Sequence, residues 1–373
     1  MKRPQTKSGF TLVELLVAAA ITALLAAFVF AITSGLLSSW NRSRDVMASS
    51  NQATIALDQL VQDLEALVLR ADGNTWLAVT VTGEQTGQGD AGIPSASYPA
   101  GGSKPPPGDY ATGILPPSRS IEDCRFGHMG VWLRFFTMEA DKNDSAETLS
   151  TVRAVSYQIA RVPVDGTVGG PEVRYFLHRS SVRGGPVLAD GSRLDESSYR
   201  RSTFTTGYDI VGNNEYNNPA GQVDNDPLEP GRTRRPIVSQ VIASDVVDFG
   251  IRVYCEEPGR RAVERFPADR RLETGPTPLA PTPVWAFLAT SSTTATPVNP
   301  AIGPAGLAAT PQRGFPVAIE VMLRVLTDEG AKKIRALESG NVSTSDFDGD
   351  WWRIVEANSE VFTRRIEIRS RPL

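Results

Sequence analysis

Histidine and cysteine are scarce in this sequence. There are two of each, His128 and His178, Cys124 and Cys255. Zinc sites and Ser/His or Cys/His nucleophile systems need such residues in groups. No CxxC, HExxH, GxSxG or P-loop pattern occurs. His178 reads as the polar face of a strand, and His128 falls in a loop beside Cys124. No enzyme is expected. An excess of positive charge is missing too. The chain has 42 acids against 38 bases, net −4, where a nucleic-acid binder carries a basic surplus. The pairs Arg200-Arg201, Arg234-Arg235 and Arg260-Arg261 therefore read as solvent-facing, and nucleic acid is not an expected partner. Between Pro4 and Pro94 there is no proline, so nothing there must break a helix. Between Leu15 and Leu37 there is no charge.

What fills that gap is "LLVAAAITALLAAFVFAITSGLL", with Thr22, Thr33 and Ser34 as its clearly polar residues. About 20 apolar residues span a hydrocarbon core as a helix. A secretory signal peptide would have a shorter run and a cleavage site after it. A single-pass anchor in the lipid bilayer is the better reading. Lys2, Arg3 and Lys7 precede the run with no acid among them. Subtracting that +3 from −4 leaves −7 on the remainder. The positive-inside rule puts the N-terminus in the cytoplasm and everything after about Trp40 outside. Trp40, Arg42 and Arg44 are the expected anchor at the far interface. Glu14, near the start of the run, is the one awkward charge. An unpaired carboxylate in such a place costs free energy, so it needs a partner or a route to the interface.

The helical pattern continues past the membrane. Ala53, Leu57, Leu60, Leu64 and Leu67 recur at steps of four and three, which puts them on one helix face. Asp58, Asp63 and Glu65 read as lying off that stripe. Asp72-Gly73-Asn74 is a plausible stop. One helix from about Thr11 to about Arg70 would be roughly 90 Å long. The stripe is expected to pack on a soluble domain.

The stretch "KSGFTLVELLVAAAI" resembles the N-terminal signature of type IV prepilins and type II secretion pseudopilins. It has the short basic leader, Gly9 before Phe10, then Thr-Leu-Val-Glu and the apolar run. The resemblance implies that a prepilin peptidase cuts between Gly9 and Phe10 and N-methylates Phe10. It implies an assembly role for Glu14, which could pair with the new Phe10 amine of its own or a neighbouring subunit. Sister pilins or pseudopilins and an inner-membrane assembly platform are the other implied partners. Many type IVa major pilins carry a kinking proline in the membrane half, absent here, which leans towards a pseudopilin or minor pilin.

The rest reads as β-rich. Val131–Phe136, Val155–Ala160 and Val173–His178 alternate, with Asp165-Gly166 and Gly169-Gly170 between the last two, suggesting a hairpin with a longer loop. Val247–Tyr254 and Phe315–Val325 alternate likewise. "TDEGAKKIRALES" reads as a short helix capped by Thr327, with Ala331, Ile334 and Leu337 inward. "TRRIEIRSRP" is a last strand with Ile366 and Ile368 on one face. Gly/Pro-rich or polar stretches cover about 83–120, 181–235 and 274–314, the last interrupted by "VWAFL". The expected fold is α+β: a long N-terminal helix packed on an antiparallel β-rich domain with long polar loops, as in pilins. The expected divisions are a leader at 1–9, a membrane half-helix at 10–39, an amphipathic half at 40–72, a loop region at 73–122 and an exported domain at 123–373. The order of "SYQIA…RYFLHR", "VVDFGIRVY", "FPVAIEVMLRV" and "RRIEIR" is similar to J-type minor pseudopilins. Length and insertions are similar to prepilin-like proteins of Verrucomicrobia-type gene cassettes.

Asp346, Asp348 and Asp350 alternate around a glycine, which is hard-cation chemistry. The EF-hand spacing fails because the glycine is fourth, not sixth. Some pseudopilins bind calcium in a late loop, yet a solvated acidic turn without cofactor is the better reading. Asp224 and Asp226 are a weaker case. For an exported domain a Cys124–Cys255 disulfide is permitted, and two buried thiols are an equal alternative. The function expected is a processed structural subunit, a minor or tip component of a pseudopilus or type IV pilus. The alternative is a membrane-tethered binding module that does not polymerise.

Overall fold

A computed structural model describes residues 11–81, 120–123, 126, 131–138, 152–164, 172–183, 241–257, 260–266, 286–293, 312–338, 351–370 and 372. The chain divides into two compact units, Met1–Ala48 and Ser49–Leu373. Helix α1 runs from Leu12 to Glu65, 54 residues, about 80 Å at 1.5 Å per residue.

The second unit begins with the last turns of α1. Ala53, Leu57, Leu60, Leu64 and Leu67 are all buried, together with Ala56, as their spacing requires. The helix stops five residues short of the expected end near Arg70. Just past its end the chain pairs with a strand instead: the Met138 amide donates to Ala66 O at 3.0 Å, and the Val68 amide donates to Phe136 O at 2.9 Å. Leu67 forms a β-bridge with Thr137. Asp72-Gly73-Asn74 is instead a turn that launches strand β1 (Leu77–Val81). Gly73 takes a φ of 85°, which suits a residue without Cβ. The Asn74 amide donates to Asp72 Oδ1 at 3.0 Å. Strand β1 lies inside the 73–122 stretch expected to be loop.

Further strands are β2 (Val131–Met138), β3 (Val152–Pro163), β4 (Val173–Arg183), β5 (Val241–Ser244), β6 (Val246–Glu257), β7 (Arg260–Phe266), β8 (Ala286–Ala289), β9 (Gln312–Arg313), β10 (Pro316–Leu326) and β11 (Ser359–Glu367). They form a seven-stranded sheet ordered β5-β4-β3-β2-β1-β8-β9 and a four-stranded sheet ordered β11-β10-β6-β7. All pairings are antiparallel except the parallel β8–β9 pair. The expected β3–β4 hairpin pairs from Arg153↔Arg183 to Pro163↔Val173. "VWAFL" supplies β8.

Helix α2 (Asp328–Glu338) is the expected short helix. Thr327 Oγ1 accepts from the Gly330 amide at 3.2 Å, an N-cap. Ala331 and Ile334 are buried, and Leu337 packs partly buried against the core. Helix α3 (Trp351–Ala357) was not anticipated. It buries Trp351, Trp352, Ile354 and Val355. Gly250 of β6 is dictated by a close approach, because a Cβ there would lie 2.4 Å from Phe126 Cε2.

Candidate functional site

The head of α1 is a capping box. Thr11 is the last non-helical residue and Leu12 the first helical one, so Glu14 sits three residues after the cap. The Thr11 amide donates to Glu14 Oε2 at 2.9 Å, and the Thr11 hydroxyl donates to the same oxygen at 2.9 Å. In return the Glu14 amide donates to Thr11 Oγ1 at 3.3 Å. This reciprocal pattern satisfies two amides that a helix start otherwise leaves without partners. Oxygen Oε1 of Glu14 has no partner among the described residues. The sequence reading gave Glu14 an amine or the interface as its partner, and missed Thr11. The signal was present: T-x-x-E before an apolar run is the capping-box pattern. Gly9 and Phe10 lie outside the described residues.

Leu12–Leu37 is the one segment among the described residues long and apolar enough to cross a membrane. Its large apolar side chains, among them Leu16, Leu24, Phe28, Phe30 and Leu36, are exposed, so they bury nothing within this chain. Its hydroxyls are satisfied internally. Thr22 donates to Ala18 O at 2.7 Å, Thr33 to Val29 O at 2.8 Å and Ser34 to Ala31 O at 2.9 Å. An apolar medium demands this, since no water is there to take the proton. Trp40 and Arg44 are exposed beyond the segment, as an interfacial anchor would be. The side chain of Arg42 lies outside the described residues.

A second polar cluster was not foreseen. Asp63, read as off the apolar stripe, is buried with 5% exposure. It stands three residues after Leu60 and four before Leu67, which places it on the buried face. Arg179 of β4 grips it from two nitrogens, Nε to Oδ2 at 2.7 Å and Nη2 to Oδ1 at 2.8 Å. The Tyr157 hydroxyl of β3 donates to Oδ2 at 2.5 Å. The Thr137 hydroxyl of β2 donates to the Asp63 main-chain oxygen at 2.9 Å. Three adjacent strands thus converge on one helical residue. Burial, then the neighbouring Asp63 charge, push the Tyr157 phenol well above its usual range.

The remaining candidates fare differently. His178 is not on a solvated face but fully buried. Burial lowers its pKa to about 3, while a contact from Nδ1 to Phe176 O at 3.2 Å opposes the shift. Cys255 is buried on β6. Cys124, His128, Asp224, Asp226, Asp346, Asp348 and Asp350 lie outside the described residues, so neither the disulfide nor the acidic turn is placed. Among the described residues no group of three or more His, Cys, Asp or Glu is arranged to hold a metal.

No curated protein and no solved structure matches the chain. One family model does: residues 5–30 match the prokaryotic N-terminal methylation motif. Those residues contain the Gly9–Phe10 junction, the Thr11–Glu14 cap and most of the apolar segment Leu12–Leu37. The chain therefore carries a prepilin-type N-terminal methylation motif at the head of an apolar helix, the mark of a type IV pilin- or pseudopilin-like subunit.

Proposed function

We propose that this chain is a structural subunit of a type II secretion pseudopilus or a type IV pilus, present as a minor or tip component. It is held in the inner membrane by one helix, with the β-rich domain on the far side. Prepilin peptidase cuts it between Gly9 and Phe10 and methylates the Phe10 amine. Subunits and sister pilins then pack through their apolar helices on the assembly platform. Its role is structural rather than catalytic. The observation that carries this reading is the methylation motif at 5–30, and the exposed apolar helix supports it. Glu14 suits the assembly role. The cut makes a cation one residue ahead of Thr11, and Glu14 still has Oε1 to offer it.

Intact mass of the protein from the membranes of its own cells tests the processing step. Loss of Met1–Gly9 with one added methyl group is expected, and retention of the leader sinks the reading. A pair of variants tests the pairing. A Gln at a capping box keeps an acceptor for the cap amide but has no charge. Glu14→Gln should therefore retain the helix start yet fail to assemble, as Glu14→Ala should. Wild-type assembly by Glu14→Ala would remove the assembly role given to Glu14, whereas a wild-type chain that never leaves the membrane for a filament would favour a tethered module that does not polymerise.

A further inference from the structure

Among the described strands, four stand at sheet edges, and three of these are blunted. Strand β5 has four residues and a register shift against β4. Strand β9 has two residues, and β7 meets β6 with two register shifts. Short strands and bulges keep a sheet edge from pairing with another chain. Strand β11 has neither device. It runs for nine residues, and each pairs with β10 without a shift.

The Ile368 amide donates to Val317 O and the Thr327 amide to Asn358 O, each at 2.9 Å. Both bonds belong to the β10–β11 register, so the even-numbered residues of β11 turn their backbone groups towards β10. Val361, Thr363, Arg365 and Glu367 turn theirs outward, where no backbone group of the described residues meets them. Charged side chains can also guard an edge, but here both arginines are drawn onto the sheet's faces. Arg365 lies over the Tyr254 ring at 4.6 Å and bonds Glu367 at 3.2 Å. Arg364 reaches Asp58 of α1 at 3.1 Å, in a pair whose side chains stay 50% and 63% exposed. Such an open pair holds weakly, so Arg364 is free to turn to another acid.

The side chains show what fits this edge. Glu360, Phe362 and Arg364 share one face, opposite Val325, Leu323 and Val321. Acid, aromatic, base is its own complement. With a second copy antiparallel and Phe362 against Phe362, each Glu360 faces an Arg364 of the other copy. Opposite charges and aromatic pairs facing each other across strands are favourable. On the other face Val361 meets Thr363 and Ser359 meets Arg365, so no like charges oppose. The outward backbone groups of these four residues supply the hydrogen bonds. Sliding one copy by two residues either way breaks both charge pairs. Sliding it by four sets Arg364 against Arg364 or Glu360 against Glu360.

We propose that two copies of this chain pair antiparallel along β11, about Phe362, and join their four-stranded sheets into one. The contact is two-fold, with the same patch on both sides. It goes beyond the filament-subunit reading and does not rest on it.

The test is oxidative cross-linking of the full-length chain in the membranes of its own cells. A Cys124→Ser background leaves the buried Cys255 as the one native thiol. Phe362→Cys should give a disulfide-linked dimer, because the two Cα atoms would face each other at about 4.5 Å. Glu360→Cys alone should not, since its counterpart lies roughly 13 Å away, beyond disulfide reach. Glu360→Cys with Arg364→Cys should link again, which covers any harm done by losing the Phe362 ring. In the Phe362→Cys protein, Arg364→Glu should lower the linked fraction several-fold, and adding Glu360→Arg should restore it. No dimer from either Phe362→Cys or the double-cysteine variant overturns the proposal. So does equal linking by Glu360→Cys alone, or linking that ignores the charge reversal. A linked product with another protein in place of the dimer overturns the choice of partner. Retention of the leader, read by mass on the same samples, counts against the filament-subunit reading alone.

Discussion

Removing the Asp63 carboxylate should be the most damaging single change in the polar interior of the second unit. In Asp63→Ala, Arg179 loses both charge-assisted bonds, at 2.7 and 2.8 Å, and the Tyr157 hydroxyl loses its acceptor. Both ends of the pair are shielded, with 15% and 7% side-chain exposure, so solvent cannot fully replace the lost partner. Taking one member from a buried pair costs about 3–5 kcal/mol, because the other is left as an uncompensated charge. A domain is stable by about 5–15 kcal/mol, so this is a large share. With a urea slope of about 3 kcal/mol/M, the midpoint should fall by about 1–1.7 M. The assay is urea unfolding of the full chain in detergent, followed by tryptophan fluorescence. A cycle with Arg179→Ala separates the pair from general packing. The double variant should cost less than the sum of the singles by about 2 kcal/mol, since the second deletion removes the stranded charge. A loss below about 1 kcal/mol, or an additive cycle, would refute the inference that three strands are fastened to the helix at this residue.

His178 should make the domain sensitive to acid. Its folded pKa is about 3 against about 6.5 for an unfolded chain. Below pH 6.5 the unfolded state takes up a proton that the folded state refuses, so stability is complete above 6.5 and declines towards pH 3. The slope is about 1.4 kcal/mol per pH unit, or about 2 kcal/mol between pH 6.5 and 5. His178→Gln should flatten unfolding free energies over that window, and an unchanged slope would show that another group is responsible. Gly250→Ala should cost about 1–3 kcal/mol by overpacking, because its methyl would press on Phe126 and on Met322 Cε, 3.0 Å away. The same change in a Phe126→Leu background should cost measurably less by thermal unfolding, and an equal cost in both would place the strain elsewhere.

The long helix was legible because burial and period act together along it. Five apolar residues at steps of four and three leave one face to cover, and all five are covered. Its end was not legible. The Asp72-Gly73 stop is local, whereas the true end is set by backbone bonds to β2, more than 60 residues away. The strands were visible in their alternation, but alternation tells which side chains share a face, not whether the second face is also covered. Strand β2 illustrates this. Val131, Leu133 and Phe135 are buried, and so are Trp132, Arg134 and Phe136. The Arg134 guanidinium lies over the Trp132 ring at 3.9 Å, and Trp132 Nε1 donates to Ser156 at 2.7 Å. His178 was misplaced for the same reason, and Asp63 because a charged residue was assumed to avoid the apolar stripe rather than to be met there by an arginine.

Glu14 shows how a correct motif can still hide a contact. The question of what neutralises a carboxylate at the edge of a membrane points to charge, and charge points to the amine at Phe10. The helix start poses a different question, which is what satisfies the Thr11 and Glu14 amides, and the same side chain answers it. The two answers do not compete. A cut between Gly9 and Phe10 leaves Thr11 with its amide and its hydroxyl, so the cap survives processing with Oε2 still engaged. Under the proposed function the new amine would add to Oε1 rather than displace Thr11. On this account Thr11 fixes the carboxylate before any amine exists, and cleavage supplies a second partner to a group already oriented.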